Sequence, residues 1–158
     1  ATLSHRWPQS PLLLARTDNL QELQAQIPWD RLSKTFQGAC TVAKALRIRY
    51  IWIDCLCIVQ DDMADWEREA KKMGTFYELA YVTIAATTAE SGLSPSDASK
   101  RLEKQLELPC DYTDIGAVPK ISPTVDRSPL DKRGWVFQER LLSRRVLHFA
   151  EGQIYWEC

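Results

Sequence analysis

The chain has 158 residues, of which 45% are hydrophobic, and its formal net charge at pH 7 is −1. This apolar fraction argues against a disordered chain, and the small net charge gives no general attraction to nucleic acid or to a membrane surface. No apolar stretch approaches the roughly 20 residues that a membrane-spanning helix requires. The five cysteines are odd in number and irregularly spaced, which favours reduced thiols over a disulfide framework. We therefore expect one cytoplasmic domain over residues 1–158, excised from a larger protein.

Apolar runs alternate with amphipathic segments in the first half of the chain. Residues 2–4 predict a short strand, residues 30–46 a helix, and residues 50–58 a strand buried on both faces. A second helix is predicted over residues 65–79 and another strand over residues 82–86. Such alternation is typical of βαβ units, so we expect an α/β fold with a central, mostly parallel sheet flanked by helices.

The second half of the chain has a different character. Residues 88–129 are rich in Ser, Pro, Asp and Lys, which predicts a long, mobile surface excursion with little sheet structure. Residues 135–143 predict a helix. Two apolar runs around Glu151 and Gly152 then predict a C-terminal hairpin.

One acidic residue lies on the apolar face of the predicted helix 65–79. On a helical wheel at about 100° per residue, Met73 and Tyr77 fall within roughly 40° of Trp66. Glu69 falls about 60° from Trp66, inside the same apolar stripe. Such a carboxylate is either a structural acid paired with a cation or a group that faces a ligand.

Polar residues follow the predicted strands at the edge where parallel sheets bind ligands. We expect them, with one tryptophan of the next helix, to line one crevice near Glu69. These candidate binding residues are Ser4, His5, Arg6, Trp7, Asp54, Cys57 and Trp66. Asp54 is also open to a structural interpretation, because a carboxylate in an apolar run needs a hydrogen-bonding or cationic partner.

The cysteines and histidines give no strong catalytic or metal-binding pattern. Cys55 and Cys57 alternate along the predicted strand and therefore face opposite sides, so we predict no metal site. A nucleophilic pair of Cys57 and His5 is sterically conceivable, but nothing nearby in the sequence lowers the pKa of the thiol. The residues alone thus predict an α/β domain with an acid-containing crevice and leave its reaction open.

Three segments resemble the fungal heterokaryon incompatibility (HET) domain. They are "TLSHRW", "YIWIDCLCIVQDDMADWEREAKKMGTFYELAYVTIAA" and "RGWVFQERLLSRRVLHF", the last followed by "IYWEC". They occur in the order of the family and extend over nearly the whole chain, and residues 88–129 fall where that family tolerates changes in length. The chain departs from the family pattern at Pro8, where a glycine commonly follows the tryptophan.

This resemblance implies a role in programmed cell death, triggered when genetically different fungal cells fuse or when a partnered innate immune receptor is activated. Self-association or an upstream receptor is the implied partner. HET domains are remotely similar to TIR domains, which implies a flavodoxin-like fold. Some TIR domains hydrolyse NAD⁺ at the nicotinamide–ribose bond, using a glutamate on a helix. "DWEREA" resembles that helix motif and makes Glu69 the implied catalytic residue.

Under this hypothesis NAD⁺ is a substrate, and no cofactor is expected. The third segment is expected to line or brace the same crevice through Arg133, Trp135, Gln138 and Glu139. The alternative is a non-catalytic death-signalling module, in which the acids and tryptophans are structural or interfacial.

Overall fold

The structure, a computed structural model, describes residues 1–7, 13–87, 93, 100, 125, 130, 134–150 and 154–158. Its sheet consists of four short strands: β1 (Thr2–Ser4), β2 (Thr83–Ala85), β3 (Val146–Phe149) and β4 (Ile154–Glu157). They lie in the order β1-β2-β3-β4, with β1, β2 and β3 parallel and β4 antiparallel to β3. The predicted α/β fold with a mostly parallel sheet is confirmed.

The described part of the chain contains helices α1 (Leu20–Ala25), α2 (Lys34–Ala45), α3 (Asp54–Cys57), α4 (Met63–Leu79) and α5 (Gly134–Leu142). The helix predicted over residues 30–46 begins later, because Ser33 caps α2 by accepting a hydrogen bond from the backbone N–H of Phe36. A separate 3₁₀ turn over Trp29–Arg31 precedes it.

The strand predicted over residues 50–58 is largely wrong. In the described part of the sheet, Trp52 contributes an isolated parallel bridge to Thr2, and the chain then enters α3 at Asp54. Asp54 Oδ1 accepts a hydrogen bond of 2.7 Å from the backbone N–H of Cys55. Aspartate side chains that bond the local backbone in this way compete with strand pairing, which explains why the apolar run stops being extended here.

The bridge at Trp52 determines the topology. Thr2 pairs with Trp52 on one edge of β1 and with Thr83 on the other. The spatial order is therefore the Trp52 bridge, β1, β2, β3 and β4, which in chain order reads 2-1-3-4-5. The order reverses between β1 and β2, as in doubly wound sheets, but the last strand is antiparallel. In such sheets ligands bind beyond the carboxyl ends of the strands where the order reverses, here β1 and β2.

The two faces of the sheet differ in polarity. One face carries apolar side chains that pack with those of α2, and this cluster includes Leu3, Ile84, Leu147, Phe149, Phe36, Ala39 and Val42. The opposite face, which α5 contacts through hydrogen bonds, carries Thr2, Ser4, Thr83, His148 and Glu157. Successive side chains of a strand point to opposite faces of the sheet, which places the apolar and the polar residues on different sides.

The C-terminal elements agree with the sequence. The helix predicted over residues 135–143 is α5, displaced by one residue at each end. The predicted antiparallel pair is β3 and β4. The turn at residues 151–153 lies outside the described residues, as does the predicted excursion 88–129 apart from Leu93, Lys100 and Val125. None of the helices in the described ranges is both long enough and apolar enough to cross a membrane.

Candidate functional site

Three of the predicted binding residues meet where β1 ends and α3 begins. His5 is buried, with 3% of its surface exposed, and its Nε2 lies 3.8 Å from Asp54 Oδ1. The indole N–H of Trp7 donates a hydrogen bond of 2.9 Å to Asp54 Oδ2. The partner expected for the Asp54 carboxylate is therefore present.

The parallel register explains this convergence. Thr2 pairs with Trp52, an offset of 50 residues, so His5 and Cys55 both lie three residues further along. Parallel neighbours advance in the same direction. The end of β1 and the first turn of α3 consequently reach the same edge of the sheet.

The two cysteines of α3 have different surroundings. Cys55 is buried, and its Sγ belongs with His5 and Asp54 to a group whose candidate ligand atoms lie within 4.8 Å of one another. Burial raises the pKa of the Cys55 thiol well above its ordinary value, and the nearby Asp54 charge adds to this. The sequence argument against a metal rested on Cys55 and Cys57 alternating along a strand, whereas they lie on a helix.

Cys57 lies closer to the surface. Its residue as a whole is exposed, but enough protein surrounds the thiol for desolvation to raise its pKa. A backbone hydrogen bond with Ile53 opposes this shift, and the charges of Asp54 and Glu69 add to it. The pKa of each thiol of α3 is thus raised, whereas a nucleophilic cysteine requires a lowered pKa.

Glu69 lies on α4, which follows α3 in the chain. Its side chain is 17% exposed, and its Oε1 lies 3.0 Å from Lys72 Nζ and 3.4 Å from Arg68 Nε. The charges of Glu69 and Asp54 both raise the pKa of the Cys57 thiol, so the two carboxylates act on the same group. Trp66, the centre of the predicted apolar stripe, is 44% exposed.

The most deeply buried acid of α4 is Asp65, which the wheel did not single out. It is 9% exposed, accepts a hydrogen bond of 2.8 Å from the backbone N–H of Val59, and pairs with Arg68. Its position was readable in part from the sequence, because it is the third residue of a helix capped by Asp62. Acids are favoured in the first turn of a helix.

Ser4 contributes to a different environment from His5. Its hydroxyl donates a hydrogen bond of 2.5 Å to Glu139 Oε2 of α5, and both residues are buried. His5 instead sets its ring edge-on against Phe36 of α2, with ring centroids 5.0 Å apart. The single predicted crevice is therefore divided between the two faces of the sheet.

The remaining predicted residues are distributed as follows. Arg6 and Trp7 are exposed after β1, and Trp135 and Gln138 are exposed on α5. Glu139 braces β1 through Ser4. Arg133 lies outside the described residues.

A second polar cluster, which the sequence reasoning missed, lies between β3, β4 and α5. His148 Nε2 is 2.7 Å and Arg140 Nε is 2.9 Å from Glu157 Oε2. Burial raises the pKa of Glu157, but the hydrogen bonds from Arg140 and His148 outweigh it, and the net shift is downward. The sequence signal that could have revealed this cluster was the predicted pairing of β3 with β4, which brings side chains of the two strands together.

The polar face beneath α5 has little free volume. A cavity there, lined in part by Thr83, Thr87 and His148, has room for about one water molecule. As the described residues enclose it, this space is too small to hold a nucleotide.

The comparisons with known proteins give one match. A family model described as heterokaryon incompatibility protein (HET) matches residues 1–139. No curated protein and no solved structure gives a significant match. The matched range includes β1, α3 and α4, and therefore the whole group formed by His5, Trp7, Asp54, Cys57 and Glu69.

Proposed function

This chain belongs to the heterokaryon incompatibility family, whose general role is incompatibility and cell death, and we propose that it acts by cleaving NAD⁺ at the nicotinamide–ribose bond. One observation carries the proposal. Trp7 bonds to Asp54, and the charges of Asp54 and of the 17% exposed Glu69 both act on the Cys57 thiol, which supports a partly shielded carboxylate in the neighbourhood of the end of β1. The topology favours ligand binding at this edge of the sheet.

The chemistry requires stabilisation of positive charge on the ribose. Cleavage of an N-glycosidic bond proceeds through an oxocarbenium-like transition state, and a carboxylate beside the ring stabilises it. Nicotinamide departs as a neutral molecule from a cationic nitrogen, so a strong general acid is not needed, and water adds to the anomeric carbon of the ribose with release of one proton to solvent. Glu69 supplies the carboxylate, and its partial burial strengthens its field at the ribose.

The ion pairs of Glu69 impose a condition on this mechanism. Lys72 and Arg68 occupy its Oε1, and both are more exposed than Glu69 itself. Exposed pairs of this kind are weak, so the two cations turn toward solvent, or toward a substrate phosphate, at little cost. The exposed guanidinium of Arg6 is a second phosphate partner, and the exposed ring of Trp7 offers a stacking surface.

The decisive experiment measures nicotinamide release from NAD⁺ by the purified chain, at high concentration and after forced oligomerisation. Glu69→Gln keeps the shape of the side chain and removes its charge, and we expect it to abolish nicotinamide release and cell death without loss of folded protein. Glu67→Gln is the matched control, because Glu67 is exposed two residues away on the same helix. A folded Glu69→Gln variant that still releases nicotinamide would end the catalytic proposal.

A second candidate function is a non-catalytic module that recruits a partner or a second copy in the cytoplasm. It is supported by large apolar side chains exposed on α4 and α5, namely Met63, Trp66, Trp135, Phe137 and Leu141. Cell death without NAD⁺ loss, abolished by Phe137→Ser but retained by Glu69→Gln, would favour this function over the enzymatic one.

A further inference from the structure

His5, Asp54 and Cys55 bring three different metal-binding groups together at one point. An imidazole nitrogen, a carboxylate oxygen and a thiol sulfur lie within 4.8 Å of one another. His5 and Cys55 are buried, and Asp54 is partly exposed. A mixed set of one nitrogen, one oxygen and one sulfur ligand suits Zn²⁺ better than Mg²⁺ or Ca²⁺, which prefer oxygen ligands alone.

We propose that His5, Asp54 and Cys55 form a Zn²⁺ site with three protein ligands and a fourth position open to water or another ligand. Three protein ligands with one open position are the usual arrangement of zinc sites that are not purely structural. The site is independent of NAD⁺ cleavage, although Asp54 belongs to both groups of residues. Binding of the ion is therefore measured without NAD⁺.

The site must contract around the ion, because Cys55 Sγ lies within 4.8 Å of the other two ligand atoms and tetrahedral zinc places sulfur about 3.6 Å from nitrogen or oxygen. Zinc bonds of about 2.0–2.1 Å at tetrahedral angles place nitrogen and oxygen ligands about 3.3 Å apart. His5 Nε2 and Asp54 Oδ1 are 3.8 Å apart, which is too long for a hydrogen bond between them. A change of about half an ångström, within the reach of a small χ rotation of Asp54, brings them to the ligating separation.

The surroundings hold two of the ligands in place. The indole N–H of Trp7 donates to Asp54 Oδ2 and the backbone N–H of Cys55 donates to Oδ1, which lies 3.8 Å from His5 Nε2 and keeps a second lone pair for the ion. The His5 ring packs edge-on against Phe36, which restricts its rotation. Outer contacts of this kind orient zinc ligands and commonly change metal affinity by about 10- to 100-fold.

The charge balance of binding is simple. The Cys55 thiol loses its proton to solvent and binds as a thiolate, while Asp54 binds as a carboxylate and His5 as a neutral imidazole. Two negative ligands then neutralise the two positive charges of the ion. The bound ion would tie the end of β1 to the first turn of α3.

Cobalt binding tests the proposal directly, because a cysteine ligand gives Co²⁺ a thiolate charge-transfer absorption. The reduced chain, without a histidine tag, is titrated with Co²⁺ and then with Zn²⁺ as competitor. We expect one equivalent of metal, a charge-transfer absorption, and a higher melting temperature with Zn²⁺. Cys55→Ala should abolish the absorption. Cys57→Ala is the matched control, since it removes a thiol two residues away, and it should retain the absorption.

If Cys55→Ala does not fold, because the buried thiol has been removed, Asp54→Asn is the variant that tests the site. Asp54 is partly exposed and Asn keeps its shape, so this variant should fold and bind Co²⁺ at least tenfold more weakly. A folded wild-type chain without the charge-transfer absorption would overturn the proposal. An absorption lost in Cys57→Ala and kept in Cys55→Ala would also overturn it, as would unchanged affinity in Asp54→Asn.

Discussion

The Ser4 hydroxyl donates a hydrogen bond to Glu139 Oε2 at 2.5 Å, across 135 residues of sequence. It joins the first strand of the sheet to the last described helix, and both partners are buried. A buried carboxylate that loses a hydrogen-bond donor still carries the free-energy cost of having been removed from water. The first and third of the resembling segments are therefore energetically coupled.

Ser4→Ala should lower the free energy of unfolding by about 1–3 kcal/mol, because it removes a hydrogen bond to a buried carboxylate. Denaturant unfolding followed by circular dichroism measures this. A double-mutant cycle with Glu139→Gln isolates the pair. Additive effects of the two substitutions would mean that the hydrogen bond contributes no coupling.

Asp65 and Glu69 should differ in their effect on stability. Asp65→Ala leaves the N–H of Val59 without its acceptor and should cost about 1–3 kcal/mol. Glu69→Ala breaks only exposed ion pairs with Lys72 and Arg68 and should cost less than about 1 kcal/mol. Chemical denaturation of the two variants under the same conditions makes the comparison. The reverse order would show that Glu69 is the structural acid of α4.

Two helical glycines form a second matched pair. A Cβ on Gly38 would overlap the backbone carbonyl of Leu93, whereas a Cβ on Gly74 would lie 3.1 Å from the flexible Leu142 Cδ1. Both substitutions gain about 1 kcal/mol of helix propensity. Gly38→Ala should nevertheless destabilise the protein by about 1–3 kcal/mol, and Gly74→Ala should stay within about 1 kcal/mol of wild type. Thermal unfolding distinguishes them, and equal effects would contradict the close approach at Gly38.

Glu157 should make stability depend on pH in the acid range. Its pKa in the folded protein lies below the ordinary value of 4.5, so the unfolded chain binds this proton more readily. Its contribution to stability is therefore present above pH 4.5 and is lost as the pH falls through the folded value.

The difference in unfolding free energy between wild type and Glu157→Gln should thus be largest near neutral pH and shrink in acid. Glu78→Gln on the exposed surface of α4 serves as the control and should show a smaller change with pH. A difference for Glu157→Gln that stays constant from neutral pH to pH 3 would contradict the paired state of this carboxylate.

The order of strands and helices was predictable because apolar periodicity is a local property of the sequence. β1, β2, α4 and α5 all lie close to the predicted ranges. The segment around Asp54 was not predictable in this way, because its apolar run is compatible with either a strand or a short helix. The choice depends on the hydrogen bond that the backbone N–H of Cys55 donates to the Asp54 side chain, which periodicity does not contain.

In the candidate site, too, some positions were predictable from the sequence and others were not. His5, Trp7 and Asp54 lie close together in the structure, and their role in binding a ligand stays a prediction. A helical wheel, by contrast, contains no information about residues outside its own helix. It gave Trp66 an inward position, although that residue is 44% exposed, and it passed over Asp65, whose partners lie in the preceding loop.

The unequal polarity of the two sheet faces means that different solvent conditions loosen different layers of the protein. The α2 layer depends on apolar burial, which weakens on cooling and is insensitive to moderate salt. The α5 layer has a smaller apolar cluster that includes Val136 and Val146, and it also depends on hydrogen bonds and on the partly exposed pair of Arg140 with Glu157, which acid and salt weaken. Hydrogen exchange in acid or salt should therefore release β4 and α5 before α2, whereas cold should act first on α2.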